Sequence, residues 1–379
     1  MTMRICQIIE SSSGGSVQVA LAIAQGLADK GDAVTFLYSP IRTDQAFLDQ
    51  KEKITKVSFM PLEMQRSVGL HDLSSLFRLW KILKKKGPFD LIHAHSSKAG
   101  GLLRLLRLLL PRQTALVYTP HAFVTMAPGS GKAYRWIERA LSFGCDAIIA
   151  VSSGEKEHAV GTLHIAPSRV KVILNGIDVG SFPSRKTARD LLGLDDGRFV
   201  VGFVGRFVPQ KNMKRLLETF AAAKRQEPTL HLVLVGGGEE LPTVRERLHD
   251  LALQDDVTLL LDQSARPIIP AFDALLCASD YEGISLVFLE ALAAGVPLVT
   301  TPVAGAHETV LEGQTGFIAS DFTVDSLSAC LLRVVRMSPD DRTALSVQAK
   351  AHSALFSLER MVAAHRDLYG ALIAARRQT

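Results

Sequence analysis

Short apolar runs alternate with longer stretches of helical periodicity along the whole chain. In the first half, runs of strand length occupy 4–9, 34–38, 56–60, 91–94, 116–119, 147–151 and 172–174. In the second half they occupy 199–204, 231–235, 257–261, 274–277, 298–300 and 316–318. This alternation predicts parallel sheets covered by helices on both faces. The series restarts after Phe182-Pro-Ser-Arg-Lys-Thr187, which reads as an interdomain linker, so two doubly wound halves are expected. The tail from Leu355 to Ala375 is helical in pattern.

Composition narrows the class. At 379 residues the chain is too long for one ordinary core. A hydrophobic content of 47% and a mean hydropathy of +0.18 fit large buried sheets. No apolar run reaches membrane-spanning length without a charge. The first ten residues turn polar after a strand-length run, unlike a signal peptide, so a cytoplasmic location is expected. Cys6, Cys145, Cys277 and Cys330 are scattered and read as small core residues.

Charge is unevenly spread. Through Asp178 there are 22 Lys+Arg against 14 Asp+Glu, and beyond it 21 against 24. A basic first half suggests an anionic partner. With neither an aromatic-rich basic patch nor zinc spacing, no nucleic-acid partner is expected. Two basic amphipathic stretches stand out. Leu73, Leu76, Phe77, Trp80 and Leu83 recur at helical spacing beside Arg78, Lys81 and Lys84–Lys86. Leu102–Leu110 is interrupted by Arg104 and Arg107. Both read either as helices on a sheet with solvated cations or as peripheral docking on anionic lipid.

Candidate chemistry is richest in Glu282-Gly-Ile-Ser-Leu-Val-Phe-Leu-Glu290. The apolar residues after Ser285 predict a buried helix that Gly295-Val-Pro297 ends. Glu282 then sits in the loop before the helix and Glu290 inside it. Eight residues at about 1.5 Å rise span roughly 12 Å, the reach of a nucleotide diphosphate sugar from hexose to ribose. Free N–H groups at the helix start suit a diphosphate. Upstream, strand 199–204 runs into Gly205-Arg206-Phe-Val-Pro-Gln-Lys211-Asn212. Its two cations lie at a strand's carboxyl end, where open α/β sheets bind ligands, and both can stabilise a departing diphosphate. Val235-Gly-Gly-Gly238-Glu239 permits close backbone approach, as a donor contact at Gly237 or as a plain β-to-α turn.

Three strand ends in the first half carry further candidates. Ser11-Ser-Ser-Gly14-Gly15-Ser16 leads into a helix expected near Val17 and lacks the G-x-G-x-x-G spacing of a dinucleotide site. Tyr118-Thr-Pro-His121-Ala-Phe123 follows another strand, and Leu91-Ile-His93-Ala-His95-Ser-Ser-Lys98 forms a third. His93 and His95 share a strand face, but no carboxylate or Cys cluster completes a metal site.

Taken together, the motifs resemble those of the retaining glycosyltransferases of family 4, which have the GT-B fold, over nearly the whole chain. The likeness is carried by E-x7-E at Glu282 and Glu290, G-R-x4-K at Arg206 and Lys211, T-x-H ending at His121, and H-S-S-K-A-G at 95–100. It implies an α/β architecture of two Rossmann-like domains facing across a central cleft. The acceptor-side domain would span 1–182 and the nucleotide-sugar-binding domain 183–354, with a helix at 355–379 crossing back to the first. The resemblance places His121 and Glu282 by the donor sugar, Arg206 and Lys211 on the diphosphate, and Glu290 on the ribose hydroxyls. It adds Gly14, Gly15, Gly237, Gly283, Ser285 and Leu286 to the donor contacts, and Ser96, Ser97 and Lys98 to the acceptor contacts. Leu261-Asp262-Gln263 aligns with a segment that touches the base in relatives. The family's G-G-x-x-E loop becomes Ala304-Gly305-Ala-His307-Glu308, with His307 read as a loop cap. Val17-Gln18 stands where a charged residue often follows the first glycines.

The implied reaction moves a hexose from a nucleotide diphosphate sugar to a hydroxyl of a polyprenyl-linked or lipopolysaccharide glycan, with anomeric configuration retained. Retaining hydrolases hold two carboxylates about 5 Å apart to use one as nucleophile. The separation estimated above is larger, so front-side displacement is expected. With no D-x-D motif, neither a metal nor another cofactor is expected. The alternatives are a GT-B nucleotide-sugar 2-epimerase and a non-catalytic partner of another transferase.

Overall fold

The protein is described by a computed structural model over residues 2–180, 182–195, 197–261 and 263–378. In chain order its first strands and helices are β1 (Arg4–Ile9), α1 (Gly15–Asp29), β2 (Ala33–Tyr38), α2 (Gln45–Lys53), β3 (Val57–Pro61), α3 (His71–Lys86), β4 (Leu91–His95) and α4 (Ser97–Leu105). Then come β5 (Ala115–Thr119), α5 (Lys132–Leu141), β6 (Ala147–Ala150), α6 (Ser153–Glu157), β7 (Val170–Val172), α7 (Arg185–Leu192), β8 (Phe199–Val204) and α8 (Met213–Lys224). They are followed by β9 (Leu230–Val235), α9 (Leu241–Asp250), β10 (Val257–Leu260), β11 (Ala274–Cys277), α10 (Leu286–Ala294), β12 (Leu298–Thr300), α11 (Ala306–Thr309) and β13 (Gly316–Ile318). Three helices end the chain: α12 (Val324–Val335), α13 (Pro339–Ser353) and α14 (Leu358–Gln378).

The chain divides into two compact units, residues 1–176 with 358–379, and residues 177–357. These joints differ from the sequence boundaries at 182 and 354. The reason is local: Ile177 bridges Ser357 and donates its N–H to the Phe356 carbonyl at 2.9 Å, so the second unit begins and ends on that pairing. Phe182–Thr187 is only partly linker, because Ser184 caps α7 by accepting the Thr187 N–H at 3.1 Å.

The first unit holds a seven-stranded parallel sheet in the order β3-β2-β1-β4-β5-β6-β7. On one face Cys6, Ile8, Ile92, Leu116, Tyr118 and Ile148 pack with Leu79 and Leu83 of α3 and Leu102 and Leu103 of α4. α14 belongs to this unit and lies against α1, where a Cβ at Gly26 would come 2.5 Å from a Val362 methyl. The stripe that α3 buries is Ser75, Leu79 and Leu83, whereas Leu73 and Phe77 are exposed. Arg104 is not a solvated cation: it is buried, donates to Glu138 Oε2 at 2.8 Å and to the Gly100 carbonyl at 2.9 Å, and lies over the Tyr118 ring.

The second unit holds a six-stranded parallel sheet in the order β10-β9-β8-β11-β12-β13. Its core joins these strands to α8, α9 and α12 through Phe203, Leu216, Phe220, Val244, Leu327 and Leu331. In each unit the strand order reverses once, between β1 and β4 and between β8 and β11, and ligands bind outside the carboxyl ends of strands at such a switch point. No helix among the described residues is long and apolar enough to cross a membrane.

Candidate active site

In the second unit, the carboxyl ends of β8 and β11 carry two loops that are bonded to each other. Asp280 donates its N–H to the Gln210 carbonyl, and the Gln210 amide donates to the Tyr281 carbonyl, both at 2.9 Å. Asn212 and Arg215 donate to Asp280 Oδ1 at 3.0 and 2.8 Å. This lattice fixes Lys211 against Glu282: the ammonium donates to Oε1 at 2.5 Å, and the Ser279 hydroxyl donates to the same oxygen at 2.9 Å. Burial works to lower the Lys211 pKa, but the Glu282 carboxylate outweighs it and the net shift is upward. The lysine is therefore held charged. Arg206 is exposed, close enough to repel Lys211, and makes no ion pair among the described residues.

Past Glu282 the chain bends at Gly283 and is extended at Ser285, and α10 starts at Leu286 with no side-chain cap. The rise of a helix therefore applies only to the last part of the Glu282–Glu290 interval, and helical spacing does not set their separation. The Phe288 N–H bonds the Ser285 carbonyl at 3.1 Å, and no side chain caps the start of α10, the kind of helix end that suits an anion. Glu290 sits in the second turn, half-buried, and burial raises its pKa against the pull of Arg266. Gly305 has a packing reason, since a Cβ there would fall 1.8 Å from the Gly283 carbonyl oxygen. The Gly236–Gly238 turn is explained in the same way. A Cβ at Gly236 would fall 2.0 Å from Gly205 O, and the Gly237 carbonyl accepts the Phe207 N–H at 2.7 Å. His307 is exposed on α11. Asp262 lies outside the described residues.

In the first unit the candidates gather at the carboxyl ends of β1, β4 and β5. Gly14, at φ 77°, donates its N–H to Asp44 Oδ2 at 3.3 Å, and α1 begins at Gly15, two residues before the expected Val17. Ser96 has φ 75° and a buried hydroxyl without a partner, and Ser97 opens α4. Lys98 is committed elsewhere: Asp72 at 2.7 Å and the Ser67 carbonyl at 2.6 Å occupy its ammonium in place of an acceptor group.

His121 belongs to a cluster that motif reading missed. His95 Nδ1 and His121 Nε2 share a proton at 3.0 Å, while His93 bonds the Tyr369 hydroxyl at 2.5 Å and the Thr119 hydroxyl at 2.7 Å. His365 of α14 stacks on His93. Burial holds all of these below the usual histidine range, and neighbouring imidazoles add to it at His93, His95 and His121, the last at about 3. They are neutral at pH 7. The signal available was the register, since His95 pairs with Thr119 across β4 and β5 and His121 lies two residues beyond. Among the described residues, no group of three or more His, Cys, Asp or Glu is placed to hold a metal ion.

The model for Glycosyltransferase Family 4 matches residues 13–181, and the model for Glycosyl transferases group 1 matches residues 184–352. A UDP-Gal:alpha-D-GlcNAc-diphosphoundecaprenol alpha-1,3-galactosyltransferase of Escherichia coli is 28% identical over 335 residues, 85% of each chain. A D-inositol 3-phosphate glycosyltransferase of Saccharomonospora viridis is 31% identical over 320 residues, 78% of this chain and 73% of the relative. Among solved structures, Anabaena HepE in complex with UDP and glucose is similar at a TM-score of 0.83 and 21% identity, over 97% of this chain and 100% of that one. Two parallel sheets of this topology and two family models in tandem place the chain among the family 4 glycosyltransferases of the GT-B fold.

Proposed function

We propose that this protein transfers a hexose from a uridine diphosphate sugar to a hydroxyl of a lipid-linked glycan, with retention at the anomeric carbon. The observation that carries the reading is the partly buried Lys211–Glu282 pair beside exposed Arg206 at the strand-order reversal, with the start of α10, uncapped by any side chain, just beyond. A uridine donor is supported by the names of the E. coli relative and of the HepE complex, and a lipid-linked acceptor by the first of these.

In the reaction, the bond from the anomeric carbon to the diphosphate oxygen breaks as a bond to the acceptor oxygen forms on the same face. The acceptor proton passes to the departing phosphate oxygen. Arg206, Lys211 and the N–H groups of α10 stabilise the charge on the leaving group. Glu282 is a poor nucleophile here because Lys211 and Ser279 both hold its Oε1. Charge stabilisation thus comes from the chain itself rather than from a metal or another cofactor.

The test is a thermal-shift panel of UDP-, GDP-, ADP- and dTDP-sugars with and without Mg²⁺. A ligand of the folded state alone raises stability by mass action. A shift selective for UDP-sugars and indifferent to Mg²⁺ is expected. A shift with none of the donors would overturn the nucleotide-sugar reading. Product anomer analysis by NMR then decides retention.

A separate observation favours peripheral docking on anionic lipid. Within α5 only Glu138 is buried, leaving Tyr134, Trp136 and Ile137 exposed beside Lys132, Arg135 and Arg139. Leu105, Leu108 and Leu109 are exposed at the end of the neighbouring α4. Exposed apolar side chains interleaved with cations fit a bilayer interface of opposite charge.

A further inference from the structure

His121 and Ala122 have φ angles of 54° and 77°, two successive left-handed residues without a glycine. Each costs of order 1 kcal/mol and persists only where the surroundings impose it. What imposes it here is Glu155. Its side chain lies fully buried at the start of α6, accepting the Ala122 N–H at 2.7 Å through Oε1 and the Val151 N–H at 2.6 Å through Oε2. The Phe123 backbone also bonds it.

The local sequence makes the arrangement unusual. Ser152-Ser-Gly-Glu155 has the spacing of a capping box, and Ser152 Oγ does accept the Glu155 N–H at 3.0 Å. In an ordinary box the glutamate turns back to the cap residue's own N–H. Here it bonds the N–H one residue earlier and spends its second oxygen on a loop more than thirty positions upstream, |i−j| = 33.

We propose that Glu155 is a positioning residue for His121: its carboxylate clamps the His121–Phe123 backbone in the left-handed turn, while His95 Nδ1 holds the imidazole at Nε2 from the other side. This rests on the reading that His121 lies by the donor sugar. An anionic carboxylate suits the clamp, since it offers only acceptors to N–H donors. Protonation would turn one oxygen into a donor and release a strand of the turn. Burial raises the Glu155 pKa to about 7 against the pull of the three N–H groups, so the change falls in the physiological range. From β5, the titratable group that couples to it is Tyr118, whose own phenol is held neutral by burial and by Glu138.

The test follows the Ala122 amide and the His121 imidazole by NMR in the full chain between pH 6 and 8.5. The Ala122 amide should titrate with a midpoint near the Glu155 value, and the His121 ring signals should move with it. In Glu155→Gln that titration should vanish, and turnover should fall about 10-fold or more with its acid limb flattened, while Glu155→Asp keeps part of both. An Ala122 amide that does not titrate in the unmodified chain, which requires no variant to fold, would overturn the proposal. So would Glu155→Gln with unchanged His121 signals and unchanged turnover. His121→Ala separates the two readings: full turnover in that variant, with the Ala122 titration intact, supports the clamp and removes instead the role of His121.

Discussion

Arg206 and Lys211 carry the same charge but differ in what holds them. Lys211 is partly buried against Glu282, whereas Arg206 projects from its loop with no ion pair among the described residues. Arg206→Ala should lower turnover by roughly 10²-fold, the usual effect of losing one group that stabilises transition-state charge. Its melting temperature should stay near that of the unmodified chain. Lys211→Ala should lower turnover and also melt earlier, because it leaves the buried Glu282 carboxylate uncompensated, a loss of about 3 kcal/mol or more. Paired turnover and melting curves check this, and equal melting of the two variants would show that the Lys211–Glu282 pair does not hold the loops together. Motif spacing made these side chains legible, since Glu282, Glu290, Arg206 and Lys211 stand at fixed offsets from strand ends. It could not show that Lys211 and Glu282 neutralise each other, which depends on Asn212, Arg215 and Asp280 joining two loops |i−j| = 68 and 65 apart. For the same reason Lys98 read as an acceptor contact, though Asp72 on another helix occupies it.

All thirteen strands were legible from apolar runs, with Arg4–Ile9, Phe199–Val204, Ala274–Cys277, Leu298–Thr300 and Gly316–Ile318 placed to the residue. They are legible because a strand buried on both faces must be apolar at every position. The seventh strand, expected at 172–174, lies at Val170–Val172, an edge strand with two exposed residues and so a weaker pattern. That the last helix returns to the first unit was expected from the resemblance, but its part in the site was not legible, because it lies in two residues that cross to another element: His365 and Tyr369 complete the histidine cluster of β4. A stability prediction follows for the unit that holds them. These imidazoles are depressed in the folded state, to about 3 at His121 and about 4 at His365. The unfolded chain then binds more protons than the folded one below about pH 6.5. Stability is complete above that pH and is lost as pH falls toward 4, by up to about 1.4 kcal/mol per pH unit for each histidine. Glu155, raised to about 7, acts in the opposite sense in the same window but as a single group. Denaturant melts from pH 7.5 to 4.5, read by fluorescence of Trp80 and Trp136 in the first unit, should show that unit losing stability steadily. A flat profile would mean that the cluster is hydrated enough to charge without cost.

At the scale of the molecule the informative quantity is where charge and exposed apolar area coincide. Residues 91–145 hold seven Lys or Arg and a single acidic residue, Glu138, which Arg104 neutralises. The same segment exposes Leu108 at 95%, Trp136 at 68% and Phe143 at 71%. The sequence pointed to Leu102–Leu110 within this segment, and also to Leu73, Phe77 and Lys84–Lys86 on α3, conspicuous because the lysines are adjacent. Both faces carry cations over their rings: Lys81 and Lys84 over Phe77 and Trp80 on α3, and Arg139 and Arg169 over Trp136 and Phe143 here. α5 escaped notice because its cations are spread over two turns and its exposed aromatic side chains have no sequence mark distinguishing them from core residues. Each basic group near an anionic surface contributes about 1 kcal/mol, so replacing Lys132, Arg135 and Arg139 with Gln removes about 3 kcal/mol, or roughly 10²-fold in affinity. The full chain should sediment with vesicles of phosphatidylcholine and phosphatidylglycerol, less so at high salt, and not with phosphatidylcholine alone. The triple variant should lose most of that binding while its donor-induced thermal shift stays unchanged, since none of the three residues belongs to the donor unit. Trp136→Ser should weaken binding without changing its salt dependence, which separates the apolar share from the electrostatic one. Equal sedimentation with both vesicle types, or none with either, would remove the membrane from the proposed function and leave this face to some other partner.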